Sequence, residues 1–247
     1  MNNLKFLIIL VYYKRPTIVL NALHSIKNLN YENWELYFID DSGNEDFKNT
    51  LFDYGIDKSK INYISILDSD EKKLKQGGSR HGKFMNESIL NSNSDITTIL
   101  CDDDALVSDS LTKLNNFYLE DKTRHWGHSK VYFYDPEVEF YKDSGNKEIT
   151  NYTHLGSTYE LNKYNNKIFP ANLVDGSQVT FKNYIFKQTN VRYPYPQTRN
   201  LDSSILNQIA SVCGPCPATN IFTQYKAVFA NQMGNRWAST RTEYIND

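Results

Sequence analysis

Cysteine is scarce: Cys101, Cys213 and Cys216 are the only 3 in 247 residues. That is too few for a disulfide framework and suits a reducing compartment. Long hydrophobic runs are missing too. The apolar stretch from Leu4 to Tyr13 is too short to span a bilayer, and Lys14, Arg15 and Pro16 follow it instead of a small-residue cleavage site. A cytoplasmic protein with no stable membrane span is expected. There is no basic excess, since 27 Lys and Arg stand against 29 Asp and Glu for a net charge of -2. No long-range field therefore draws the whole molecule onto nucleic acid or an anionic membrane. No repeat period or low-complexity segment interrupts the chain. Gly77 and Gly78 lack the further glycines of a dinucleotide or P-loop site and read as a turn.

What is present is an alternation of buried strands and amphipathic helices. Leu4 to Tyr12 is nearly all aliphatic and aromatic, the signature of a strand covered on both faces. Pro16 and Thr17 open a helix whose apolar positions are Ile18, Leu20, Leu23, Ile26 and Leu29, and Trp34 to Ile39 is a second buried strand ending in Asp40 and Asp41. The same reading predicts a helix over Asp46 to Tyr54, a strand over Ile61 to Leu67, a helix over Ser79 to Leu90 with Phe84, Ile89 and Leu90 inward, and a strand over Ile96 to Leu100. The pattern implies an α/β fold with a mostly parallel sheet and ligands gathered beyond the strands' carboxyl ends. After Leu114 the pattern loosens. Lys130 to Tyr141 reads as one or two strands, Gln178 to Phe186 as a strand entering a helix, and Ser203 to Val212 as a helix, while the segment from Gly214 carries no clear period.

The strongest chemical signal is Asp102, Asp103 and Asp104, directly after the strand residues Ile99, Leu100 and Cys101. Three adjacent carboxylates repel one another, and a divalent cation relieves the conflict. Oxygen ligands favour a hard ion, Mg2+ or Mn2+. Helix capping would account for one aspartate but not for three.

On these residues the chain resembles a family-2 glycosyltransferase of the GT-A fold, from Leu4 to about Leu114 and more weakly to about residue 210. The first strand's end, Val11, Tyr12, Tyr13, Lys14, Arg15, Pro16, is similar to the family's tyrosine followed by a basic residue. The resemblance implies that Val11, Tyr13 and Arg15 line the nucleotide site, with Tyr13 stacked on the base. Asp40 and Asp41, followed by Ser42 and Gly43, match the family's paired aspartates, and Asp41 would accept from the base. Arg80, after Gly77, Gly78 and Ser79, would neutralise the nucleotide. In the family's register Asp103 is the metal ligand and Cys101 stands where the usual first aspartate falls; strand alternation instead pairs Asp102 with Asp104. All three aspartates are therefore candidate ligands, with Asp102 and Asp103 also near the donor. Asp202 occupies the place of the catalytic base of inverting members, while Asp175 and Gln178 fall where relatives bind acceptor or donor sugar. No histidine follows His154 to serve as the C-terminal ligand of some relatives.

The implied architecture is one Rossmann-like GT-A domain over residues 1–247, with a nucleotide-sugar half at 1–114 and an acceptor half at 115–247. The implied reaction moves a sugar from a nucleotide-diphosphate donor, possibly a UDP-sugar, to a hydroxyl of a glycan, lipid-linked or protein acceptor. Inversion and metal assistance by Mn2+ or Mg2+ come with it. Developing charge on the leaving diphosphate calls for a cation, and a weakly nucleophilic hydroxyl calls for a carboxylate base. Modified DNA is a minor alternative acceptor, resting on a local patch of Lys72, Lys73, Lys75, Arg80 and Lys83. Competing readings are a nucleotidyltransferase, which lacks its usual basic glycine-rich loop here, and a catalytically silent nucleotide- or sugar-binding module. Cys213, Gly214, Pro215, Cys216 spells a redox motif, but Pro217 stands where that motif's helix should run.

Overall fold

A computed structural model describes residues 3–43, 45, 47–67, 81–134, 152–153, 176–195 and 201–227. Strand β1 (Phe6–Tyr12) lies at the centre and is buried along almost its whole length. Its pleat divides it between two cores: Phe6, Ile8, Leu10 and Tyr12 face one, and Leu7 and Ile9 the other. This is why the sequence shows a continuous apolar run here and not an alternating one.

The chain passes from β1 through helix α1 (Val19–Lys27) to β2 (Trp34–Asp40), then through α2 (Lys48–Asp53) to β3 (Ile61–Ser65). It returns through α3 (His81–Asn91) to β4 (Ile96–Cys101), on the far side of β1. All four strands are parallel. Register is decisive for function. Tyr12 pairs with Asp40 and Val11 with Cys101, so the Asp40–Asp41 pair and the aspartate triplet emerge at the same edge of the sheet. Between β1 and β4 the strand order reverses, opening the crevice in which ligands of open α/β sheets bind.

A short β5 (Ala105–Leu106) precedes α4 (Ser110–Glu120), after which come β6 (Trp126–Tyr134) and β7 (Tyr152–Thr153). A 3-10 turn at Gly176–Gln178 then leads into β8 (Val179–Lys182), followed by α5 (Tyr184–Gln188), α6 (Leu201–Cys213) and β9 (Ala218–Ala227). Among the described residues these complete a sheet of order β3-β2-β1-β4-β8-β6-β9-β5, with β7 on β6. The second half is mixed: β8 is antiparallel to both β4 and β6, while β9 is parallel to β6. No helix among the described residues is long and apolar enough to cross a membrane.

Three expectations are corrected. Leu90 is 38% exposed, because the inward stripe of α3 is Gly82, Met85, Ser88 and Ile89, and the next position turns away by one helical step. Strand β6 starts at Trp126, earlier than its apolar pattern suggests, since His128 and Ser129 are buried polar residues within it. The segment after Gly214, unreadable in sequence, forms the 10-residue strand β9. Gly214 itself adopts φ 77° and its N–H bonds Ala210 O at 2.9 Å, a glycine cap that ends α6. The Cys-Gly-Pro-Cys spelling is thus the exit from a helix, and burial pushes the thiols of both Cys213 and Cys216 up.

Strand β6 is packed tightly against β9 and helix α4 at Gly127, where an added Cβ would lie 2.9 Å from Thr219 Cγ2 and 3.1 Å from Phe117 Cε1. Gly127→Val should lower unfolding free energy by about 1–3 kcal/mol, the usual range for overpacking. Urea denaturation followed by far-UV circular dichroism measures it; an unchanged midpoint would contradict this tight packing.

Candidate active site

The crevice is built from the ends of β1 and β4. Lys14 takes a left-handed backbone conformation, φ 51°, uncommon for a residue with a side chain. The turn follows Tyr13, whose N–H bonds Asp102 Oδ2 at 2.9 Å, and precedes Arg15, which reaches the same aspartates. Arg15 Nη1 lies 2.8 Å from Asp103 Oδ2, Nε lies 3.3 Å from Asp102 Oδ2, and Nη2 pairs with Asp102 Oδ1. Burial alone would lower the Arg15 pKa, but Asp102 and Asp103 outweigh it and hold the guanidinium above its ordinary value. Asp102 is pushed up to about 6 by burial, against the opposing pull of Arg15 and the Tyr13 amide.

Asp104 is held from the opposite side. Lys226 Nζ donates to Asp104 Oδ2 at 3.0 Å and the Ala227 N–H donates to Asp104 Oδ1 at 3.0 Å, so the end of β9 engages both oxygens. Lys226 Nζ also reaches Ser177 Oγ at 3.0 Å. Ligand atoms of Cys101, Asp103 and Asp104 lie within 4.8 Å of one another. Two carboxylates at that spacing fit a hard divalent ion, with the Cys101 sulfur as a softer neighbour. Asp102, expected among the ligands, directs its oxygens to Arg15 and the Tyr13 amide.

On the other flank Asp40 is wholly buried; its Oδ1 accepts from the Ser42 N–H at 3.0 Å and its Oδ2 from the Tyr63 hydroxyl at 2.6 Å. Burial, reinforced by Asp40, raises the Tyr63 pKa. Asp40 thereby braces the turn that carries Asp41, whose N–H bonds Tyr12 O at 2.9 Å. The Tyr13 ring is 37% exposed with Lys14 Nζ 5.5 Å from its centroid, while Val11 packs against the second core.

Asp202 sits in the first turn of α6, and its Oδ1 would be 2.6 Å from a Cβ placed on Gly176. Only glycine lets the carboxylate lie so close to this turn. Burial first, and then the charge of Asp202, raises the pKa of Tyr193. Gln178, expected at the acceptor, is buried and donates to Ser129 O at 3.1 Å, bracing the same turn. Gln224 donates to Ile99 O at 2.7 Å and to Ser177 O at 2.8 Å. The Gly176–Gln178 turn beside Asp202 is therefore fastened to the aspartate loop through β9. Arg80 and Asp175 lie outside the described residues. Sequence reasoning missed Lys226 and Gln224. Their signal is the i, i+2 spacing of Gln224 and Lys226, which puts both on one face of a strand once the strand is known.

Comparison with known proteins bears on the family and the fold. The family described as glycosyl transferase family 2 matches residues 7–179. No curated protein matches the chain. Among solved structures, S. aureus TarS is similar at TM-score 0.61 and 13% identity over 91% of this chain and 37% of TarS. TarS 1–349 in complex with UDP-GlcNAc is similar at TM-score 0.62 and 12% identity, over 92% of this chain and 60% of the other. The same fragment in complex with UDP gives TM-score 0.58 at 12% identity, over 91% and 60%. The chain thus spans less than two thirds of the length of these neighbours. With the family matched across most of its length and a GT-A sheet beneath it, the chain belongs to glycosyl transferase family 2.

Proposed function

We propose that the chain transfers a sugar from a nucleotide-diphosphate donor, a UDP-sugar first among them, to an acceptor hydroxyl on a glycan, lipid-linked or protein substrate, with inversion. The observation that carries this reading is the convergence, at one strand-order reversal, of Tyr13, Asp41, Arg15 and the aspartate triplet. UDP and UDP-GlcNAc are ligands of the TarS 1–349 structures, which supports a uridine donor. Residues 1–114 form the donor half and residues 115–247 the acceptor half of one domain.

The half-exposed Tyr13 side chain offers a face for the base, and Asp41, buried at the end of β2, would accept from the base's N–H. Arg15 lies at the mouth, its side chain 37% exposed, where it can pair with diphosphate oxygens. Asp103, with Cys101 and Asp104 at hand, would hold Mn2+ or Mg2+, and that ion would neutralise charge on the leaving diphosphate. Asp202 takes the acceptor hydroxyl's proton as the new bond to the anomeric carbon forms. Its exposure at the head of α6 leaves it open to an incoming hydroxyl.

Thermal-shift measurements with UDP-sugars and Mn2+ test the reading. Ligand at 100 times its Kd should stabilise the fold by about 2.7 kcal/mol. No stabilisation by any nucleotide sugar, with or without ion, would refute it. Asp202→Asn should abolish transfer, and the donor hydrolysis that accompanies it, while nucleotide affinity stays within about twofold, since truncating a catalytic base removes a contact to the acceptor alone. Calorimetry and release of nucleoside diphosphate read the two quantities; near-normal turnover would remove Asp202 from the role. Folding raises Asp102 from 3.8 to about 6, so its protonated form stabilises the ligand-free fold. That contribution is complete below about 3.8 and is lost as pH rises through about 6. The melting temperature of Asp102→Asn should therefore show a flatter pH dependence across this window than the unaltered protein; parallel curves would contradict it.

A further inference from the structure

After α5 the chain crosses towards α6, the helix that carries Asp202, and two side-chain amides hold it on the way. Asn86 of α3 brackets Tyr193: its Nδ2 donates to Tyr193 O at 2.9 Å, and its Oδ1 accepts from the Tyr193 N–H at 2.8 Å. Gln208 of α6 brackets the preceding residue in the same way, with Nε2 on Arg192 O and Oε1 on the Arg192 N–H, both at 3.0 Å. One residue's N–H and C=O thus face α6 and the next residue's face α3, the hydrogen-bonding pattern of a strand. The neighbouring strands are replaced by amides, one from each helix. Gly82, one turn before Asn86 on the same face of α3, completes the contact. A Cβ there would stand 3.0 Å from Pro194 O and 3.4 Å from both Tyr193 Cβ and Leu201 Cδ1. Leu201 is the first residue of α6 and the neighbour of Asp202.

We propose that Asn86 is a positioning residue for sugar transfer, which through Tyr193 sets the place of Asp202 relative to a donor bound beyond the end of β4. The inference rests on the reading of Asp202 as the base and deepens it by naming what fixes that base against the donor half. Helix α3 leads into β4, the strand that carries the aspartate triplet, so its position belongs to the donor side of the crevice. The two helices share an apolar core, with Met85 and Ile89 from α3 and Ile205, Leu206 and Ile209 from α6. Apolar contact is non-directional and tolerates sliding along the helix axis. The amide pairs do not: a slip would leave the N–H and C=O of Tyr193 without partners, in a residue only 3% exposed. Burial, and after it the Asp202 charge, raises the Tyr193 pKa, which puts the bridge beside the base. On its other side Asp202 lies against Gly176, in the turn that Gln224 ties to Ile99 of β4. Both fastenings of the base therefore lead back to β4. A base must stand within hydrogen-bond reach of the acceptor hydroxyl, and a misplacement of about 1 Å can cost about 100-fold in rate.

The experiment measures UDP release, with Mn2+ present, from the UDP-sugar that gives the largest thermal shift, and UDP affinity by calorimetry. The proteins are the unaltered chain, Asn86→Leu, Gly82→Ala, Asp202→Asn and Gly127→Val. Asn86→Leu is close in size and removes both hydrogen bonds; kcat should fall about 10- to 100-fold while UDP affinity stays within about twofold. Gly82→Ala breaks no hydrogen bond and favours the helix, pressing only on Pro194 O and its neighbours; kcat should fall about threefold or more at unchanged UDP affinity. Gly127→Val strains the α4 side of the sheet, away from α3 and α6, and should keep kcat within about twofold, which separates positioning from mere loss of stability. A folded Asn86→Leu with kcat within about twofold of the unaltered chain overturns the inference, as does a loss of UDP affinity parallel to the loss of kcat. An equal fall of kcat in Gly127→Val overturns it too. If Asn86→Leu does not fold, Gly82→Ala decides, and an unchanged kcat there sinks the proposal. Asp202→Asn keeps the two levels apart. If that variant turns over normally, or the unaltered chain releases no UDP, the base or donor reading has failed and this inference falls with it. If Asp202→Asn is inactive while Asn86→Leu and Gly82→Ala are unimpaired, this inference alone has failed.

Discussion

Three carboxylates in a row at the end of a buried strand form the constraint around which this molecule is arranged. Left alone, they would repel one another in a medium of low polarizability and force protonation or unfolding. The protein answers with side chains from opposite ends of its sequence: Arg15 from the first strand's exit and Lys226 from the last described strand. The left-handed turn at Lys14 and the mixed second half of the sheet, which delivers β9 to the crevice, both serve that neutralisation. The isolated triplet seemed in the sequence to demand an ion; in the fold much of its charge is already balanced.

The first half of the fold was legible because its strands are covered on both faces. Runs such as Phe6 to Tyr12 leave no ambiguity of face, and the parallel crossovers between them follow from the helical periods in between. The placement of Asp40, Asp41 and the aspartate triplet was legible for the same reason: a carboxylate after such a run must lie at the strand's end. The second half resisted because its buried positions are polar. Thr223 and Gln224 are buried in β9, and Ser129 and His128 in β6, so the period of 2 is hidden from any hydrophobicity pattern. Lys226 could not be foreseen, since a lysine in an unassigned segment gives no hint that it faces an aspartate 122 residues away.

Two local features change meaning in three dimensions. The Cys213 to Cys216 spelling lies at the C-terminal end of α6, where the helix dipole disfavours thiolate and burial acts in the same direction. Gly176, one glycine among 11, has its purpose fixed by contact, since its missing side chain is the space that the Asp202 carboxylate occupies. In both cases the informative quantity is position relative to an element's end, which composition does not carry.

The placement of β9 has a consequence for biosynthesis. Strands β1 to β4 are complete once residue 101 is made, yet Lys226 and the Ala227 amide reach Asp104 only after another 120 or so residues. A nascent chain must therefore carry Asp104 without its two β9 contacts while the ribosome finishes the rest. Messages that stop before β9 would yield a half-built sheet with a charged, unsupported edge, a natural target for cellular quality control.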